Sequence, residues 1–199
     1  MGTTPTYSWP YPDDTDPVAN GAQDIEDLAL AVETTVSGLS EGGLVFISRT
    51  TIGSAVSSVT VSGAFSTDYD SYKIIVAGGA GSTGMALKVT LGATSTGYTF
   101  AEQFTVYASP SAQASATVNG AYWNAGRGDT TTLTMLMDIH SPFLTEYTTY
   151  QSAWSRANDA MAVTGGYLND TTSYTAFTLT TSTGTMTGGT IDVYGYAKA

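Results

Sequence analysis

From Leu44 onward the large apolar side chains recur at every second position, and that period decides what the chain can fold into. Met85, Leu87, Val89 and Leu91 alternate with smaller or polar residues, and Leu133, Met135, Met137 and Ile139 do the same. A period of two sends one face of a strand into a core and leaves the other outside. Further runs at Leu44–Ile47, Val56–Val61, Lys73–Ala77, Gln103–Tyr107, Tyr147–Trp154, Met161–Tyr167, Tyr174–Leu179 and Ile191–Tyr196 are rich in β-branched and aromatic residues. Ser109–Ala116 is small and polar and reads as a loop, and Asn119-Gly120 is a hairpin signal. Roughly eight to ten strands with turns between them predict a mainly β fold, an antiparallel β-sandwich of jelly-roll-like type.

Ahead of this region the composition is different. Up to Glu41 there are eight acidic residues and no Lys or Arg, whereas the remaining nine acidic residues share the rest of the chain with all six basic ones. The net charge of −11 is therefore concentrated in the first fifth of the sequence. Such a chain repels phosphate backbones, which excludes a nucleic-acid binder working through basic patches. No apolar run reaches the length of a membrane span, and the first residues lack the basic and apolar regions of a signal peptide. Membrane insertion is not expected, and release by lysis is one route out of a cell.

Within this acidic part, Trp9-Pro10-Tyr11-Pro12 sets two large rings on a prolyl backbone that favours extended conformations. The four residues are candidates for anchoring to another protein, with folding back onto the chain's own β domain as the other reading. Asp13, Asp14 and Asp16 follow but lack the spacing of a calcium loop and read as solvated turn residues. Asn20 is a suitable helix N-cap, and Gly38 a suitable stop. Between them Ile25, Leu28, Val32, Thr35 and Leu39 fall at alternating spacings of three and four, the pattern of a short heptad seam. Ile25, Leu28, Val32 and Leu39 are the candidate oligomer interface; packing on the chain's own β domain is the alternative, and dimer against trimer stays open. The predicted organisation is an extended anchoring arm over residues 1–20, a short oligomerisation helix over 21–41 and a β-sandwich display domain over 42–199.

Catalytic signatures are sparse. The single histidine, His140, stands two residues after Asp138, but there is no Gly-x-Ser-x-Gly elbow. Glu102, Asp129, Asp138, Glu146, Asp159 and Asp170 are scattered singly, so paired carboxylates of the glycosidase kind are not indicated. Arg127-Gly128-Asp129 matches an integrin tripeptide by chance and reads as an ordinary turn. With no cysteine and one histidine, neither a metal site nor a cofactor is expected. Tyr122, Trp123 and Trp154, flanking turns, are candidate glycan-binding aromatics, against a reading in which they cap the core.

The run from Trp9-Pro10-Tyr11-Pro12 through Asp16-Pro17 to the helix Ala22–Glu33 resembles the N-termini of tailed-bacteriophage fibre and minor tail proteins. Tyr69–Ile74 and Gly189–Tyr196 are similar, more loosely, to display domains of the same proteins. The resemblance implies a non-enzymatic virion component, commonly a homotrimer. It would be tethered by its N-terminus to other virion proteins of tail, neck or capsid and display a β-sandwich toward a bacterial host surface, where the aromatics named above make a host-surface glycan the candidate partner. A head fibre or capsid decoration protein, or a carbohydrate-binding module, is the alternative; a polysaccharide depolymerase ranks last.

Overall fold

Alternation of apolar and polar residues produces antiparallel strands throughout the computed structural model, which describes residues 2–13, 17–38, 43–157 and 159–198. The chain divides into two units, Met1–Gly42 and Gly43–Lys198.

In the first unit the arm is not a single extended stretch. Strands β1 (Gly2–Thr3) and β2 (Pro10–Tyr11) pair antiparallel, Gly2 opposite Tyr11. The turn between them is closed by Thr4 N donating to the Trp9 carbonyl at 2.9 Å and Trp9 N donating to Thr4 Oγ1 at 3.0 Å. Proline at residues 10 and 12 suits so short an edge, because neither has an N–H to lose. After Pro17 a 3-10 turn, Val18–Asn20, leads into the helix α1, Gly21–Gly38. Alanine and leucine favour that helix, and Asp24 in its first turn complements the helix dipole. Leu28, Ala31, Val32 and Thr35 are half-buried, and the Trp9 indole donates Nε1–H to Thr35 Oγ1 at 2.9 Å. Ile25, Leu30 and Val36 remain exposed.

The second unit contains β3 (Leu44–Thr51), β4 (Ser58–Val61), β5 (Ser71–Ala77), β6 (Ala80–Gly81), β7 (Met85–Leu91), β8 (Tyr98–Val106) and β9 (Ser109–Gly120). It continues with β10 (Trp123–Gly128), β11 (Leu133–His140), β12 (Thr149–Arg156), β13 (Ala160–Leu168), β14 (Phe177–Thr181), β15 (Met186–Thr187) and β16 (Thr190–Tyr196). A larger sheet runs β3-β16-β5-β11-β12-β13-β8-β9, and a smaller one β4-β14-β7-β10; the short strands β6 and β15 pair separately. The two sheets join where Arg127 and Gly128 of β10 pair with Thr134 and Leu133 of β11. Their inward residues share one core: Leu87, Val89, Phe177 and Leu179 from the smaller sheet with Ile74, Met137, Ile139 and Val193 from the larger. The mainly β, antiparallel expectation holds, with one helix. Eight strands on one side and four on the other make a broader arrangement than the two Greek keys of an eight-stranded jelly roll.

One expected loop is a strand. Ser109–Ala116 lies in β9, which pairs with β8 from Gly120 opposite Tyr98 to Ser109 opposite Val106. Its small polar residues carry no burial signal because β9 is an edge strand with nearly all of its side chains in solvent. Backbone hydrogen bonds from β8, invisible in a hydropathy pattern, hold it in place.

Candidate functional site

The core of the β unit is interrupted near one end by a polar seam. Strand β10 bulges between Asn124 and Gly126, so carbonyls that would have met β7 turn inward. The Asn124 carbonyl accepts from the Tyr150 hydroxyl at 2.8 Å and from the Thr164 hydroxyl at 3.3 Å, while the Ala125 carbonyl accepts from Ser152. All three hydroxyl residues are buried. Each removed carbonyl bond is thereby replaced, as a buried backbone group requires. Burial pushes the Tyr150 phenol well above its ordinary range. Gly126 is obligatory here: a Cβ at this position would stand 2.7 Å from the Thr134 carbonyl oxygen.

Beyond the seam a second, smaller apolar cluster contains Trp154, Ala160 and Ala162, with Phe104 and Val106 against it. The buried carboxylate of Glu102 accepts a hydrogen bond from Trp154 Nε1 at 3.2 Å. The Arg127 guanidinium lies over the Trp154 ring at 5.0 Å and approaches Glu102 at 3.5 Å. A burial that would otherwise be costly for Glu102 is offset by one donor and one cation. Arg156 pairs with Asp159 beside them. Arg127, Trp154, Arg156, Asp159, Phe104, Val106 and Ala160, with Gly84, Met85 and Ser182, line a cleft of about 400 Å³ between β7, β8, β10, β12 and β13, and Glu102 stands behind it on Trp154 and Arg127. A cation held over an indole, an apolar wall and a few polar groups can bind and orient a polar ligand.

The residues singled out from the sequence are not brought together. Trp123 is fully buried, 4.5 Å from the Tyr150 ring and 5.1 Å from that of Tyr98, and donates Nε1–H to the Tyr167 carbonyl. Such a side chain cannot meet a glycan, so it leaves the binding candidates and joins the core. Tyr122 is half-buried on the outer face of the smaller sheet with Lys88 Nζ 3.9 Å from its ring centre. Trp154 lines the cleft, but with 7% of its surface exposed it positions Arg127 and Glu102 and offers little face of its own.

In the N-terminal unit Trp9 turns to α1, a third arrangement beside docking elsewhere and packing on the β domain. Pro10 is half-buried, whereas Tyr11 and Pro12 are exposed; Tyr7, also exposed, stacks on Trp9 with ring centres 5.1 Å apart. The proposed seam is divided: Leu28 and Thr35 lie on the half-buried side with Trp9, Val32 at its margin, and Ile25 is exposed. Leu39 lies outside the described residues, as do Asp14 and Asp16.

His140 Nδ1 lies 2.9 Å from Ser71 Oγ. The Asp138 carboxylate is taken by Lys73, at 2.8 Å, and by the Tyr196 hydroxyl, so it does not orient that imidazole. In the Arg-Gly-Asp tripeptide, Asp129 Oδ1 accepts from Thr131 N at 2.7 Å and Thr132 N at 3.0 Å, the capping of an ordinary turn. Those bonds, the Thr131 hydroxyl foremost, hold the Asp129 carboxyl below its usual range. No group of three or more metal-ligating side chains occurs among the described residues.

Arg127, Glu102 and Arg156 were not distinguishable as site residues by sequence. The one local signal is Gly126-Arg127-Gly128 inside a strand, a charged residue whose neighbours leave the backbone free to approach another strand. Compared with known protein families, curated proteins and solved structures, the chain matches none.

Proposed function

We propose that this chain is a non-enzymatic bacteriophage virion appendage, a short fibre or minor tail subunit, whose N-terminal unit assembles and attaches while its β unit is displayed. The observation that carries the reading is the apolar surface left open on α1. Ile25 is 64% exposed and Val36 57%, in a unit of some forty residues that has little core. Ile25, Ala29, Val32 and Val36 form a continuous stripe along the helix, the kind of surface that is covered when copies associate. Exposed Tyr7 and Tyr11 then serve as the rings that dock on another virion protein, and Trp9 holds their hairpin against α1. The N-terminal resemblance to fibre and minor tail proteins supports the same assignment, and a homotrimer is the assembly it favours.

The outer face of the larger sheet adds a second surface of this kind. Ile75, Leu136, Ala153 and Val163 face one another in a single row across β5, β11, β12 and β13. Ile75, Leu136 and Ala153, with Met161 and Tyr107, border an apolar depression of about 410 Å³.

Light scattering on the full chain is the test. A trimer mass is expected, with Ile25→Asp combined with Val36→Asp giving a monomer whose β unit is still folded. A monomeric wild-type chain at tens of micromolar would overturn the reading.

A further inference from the structure

We propose that the cleft beneath Arg127 is a binding site for a neutral pyranose residue of a glycan, an inference that rests on reading the β unit as a displayed domain. Two arginines show why Arg127 is the key donor. Arg49 commits Nε and Nη2 to Asp192 in a fork, both at 2.7 Å. Arg127 lies 3.5 Å from Glu102, longer than a charge-assisted hydrogen bond, and its guanidinium makes no hydrogen bond among the described residues. Its charge is balanced and its guanidinium is held over the Trp154 ring, yet its N–H groups are unused. A planar donor held in this way is organised for acceptors that a ligand brings.

The charge balance selects the ligand class. Arg127 and Arg156 face Glu102 and Asp159, two cations against two carboxylates, in a unit that carries nine acidic and six basic residues overall. An anionic sugar would add a third negative charge to two carboxylates, Glu102 and Asp159, that the two cations already match. Neutral hydroxyls meet no such penalty. They accept from Arg127, and they donate to the Asp159 carboxylate, whose side chain is 38% exposed. Phe104 and Val106 supply the apolar wall against which the C–H face of a sugar ring lies. The volume of about 400 Å³ falls in the range of small-ligand sites.

The experiment is binding of the full chain to a panel of neutral hexose oligosaccharides and to matched uronate-bearing ones, followed by calorimetry across a salt series. A neutral oligosaccharide is expected to bind with an affinity that changes less than about twofold between low and high salt, since no charge is brought in. Arg127→Lys keeps the charge beside Glu102 but removes the fork, and should weaken binding about tenfold or more with the thermal midpoint preserved. Gly84→Phe is a second variant, at an exposed position of the rim where an added Cβ meets only the end of the Arg156 side chain; it should abolish binding by bulk. Retained affinity in both variants would overturn the site, and binding only of uronate-bearing glycans with steep salt dependence would overturn the ligand class. A chain that trimerises and docks on the particle yet binds no oligosaccharide would sink this inference and leave the proposed function standing. A monomer that binds the sugar with the Arg127 dependence would do the reverse.

Discussion

Tyr98 shows how much one hydroxyl carries in this core. The side chain is fully buried, and its oxygen accepts from Leu91 N at 2.7 Å while donating to the Thr94 carbonyl at 3.1 Å. Desolvation pushes its pKa up to about 12. The neutral phenol is the form that the fold favours. The stability it contributes is therefore complete below the unfolded tyrosine value of about 10 and is lost as pH rises through about 12. Tyr150, raised by the same cause, adds to the loss. Thermal midpoints should be level from neutral pH to about 9 and fall steeply above 10. Tyr98→Phe should soften that alkaline fall while costing about 1–3 kcal/mol at neutral pH, because Leu91 N would be buried without an acceptor. A Tyr98→Phe protein with an unchanged alkaline profile would contradict the assignment.

Among elements, the helix and its hairpin show one apolar pattern whose two sides meet different surroundings, one half-buried beside Trp9 and the other exposed. The spacing of Ile25, Leu28 and Val32 was legible, but a stripe in sequence does not say what covers it. Trp9 covers one margin, since an indole needs both an apolar bed and an acceptor, and Thr35 gives the acceptor. Trp9→Phe keeps the ring and removes the N–H, and should lower the stability of the N-terminal unit by about 0.5–1.5 kcal/mol, read as reduced helicity on heating. Unaltered helicity would mean that the Thr35 bond contributes nothing. The strands of the β unit were legible wherever one face is buried, as in β7 and β11, and illegible in β9, where neither is. The cleft was illegible for a different reason. Glu102, Arg127 and Trp154 stand about twenty-five residues apart in sequence and meet only through the register of β8, β10, β12 and β13 and the bulge at Asn124. Trp123, next to a turn, fits both a glycan contact and a core cap in sequence, and its position opposite Val89 turns it into the core.

For the whole molecule, the apolar interior falls into a large cluster, which includes Tyr150, and a small one of Trp154, Ala160 and Ala162, with the buried hydroxyls of Ser152 and Thr164 in neither. Regions with few buried apolar contacts open at lower free energy than those with many. Amides of β13 near Ala160 and Ala162 should therefore exchange with solvent faster than those of β11 near Met137 and Ile139, by about tenfold or more in hydrogen-exchange measurements. Equal protection would show that the unit opens only as a whole. Charge is likewise uneven along the chain: eight carboxylates without a basic residue up to Glu41, against near-balance beyond it. Copies that associate through α1 bring those carboxylates together, so the assembly should tighten as salt screens them.

Strand β16, the last in sequence, lies between β3 and β5, with Ile191 paired to Thr50 on one side and to Val76 on the other. Among the described residues β3 has no other neighbour in the larger sheet. Strand β3 thus stays unpaired in that sheet until β16, far along the chain, reaches it, and pairing across so great a sequence separation is slow. Strand β16 is the keystone of the larger sheet: without it β3 and β5 would stand as open edges, prone to pair wrongly.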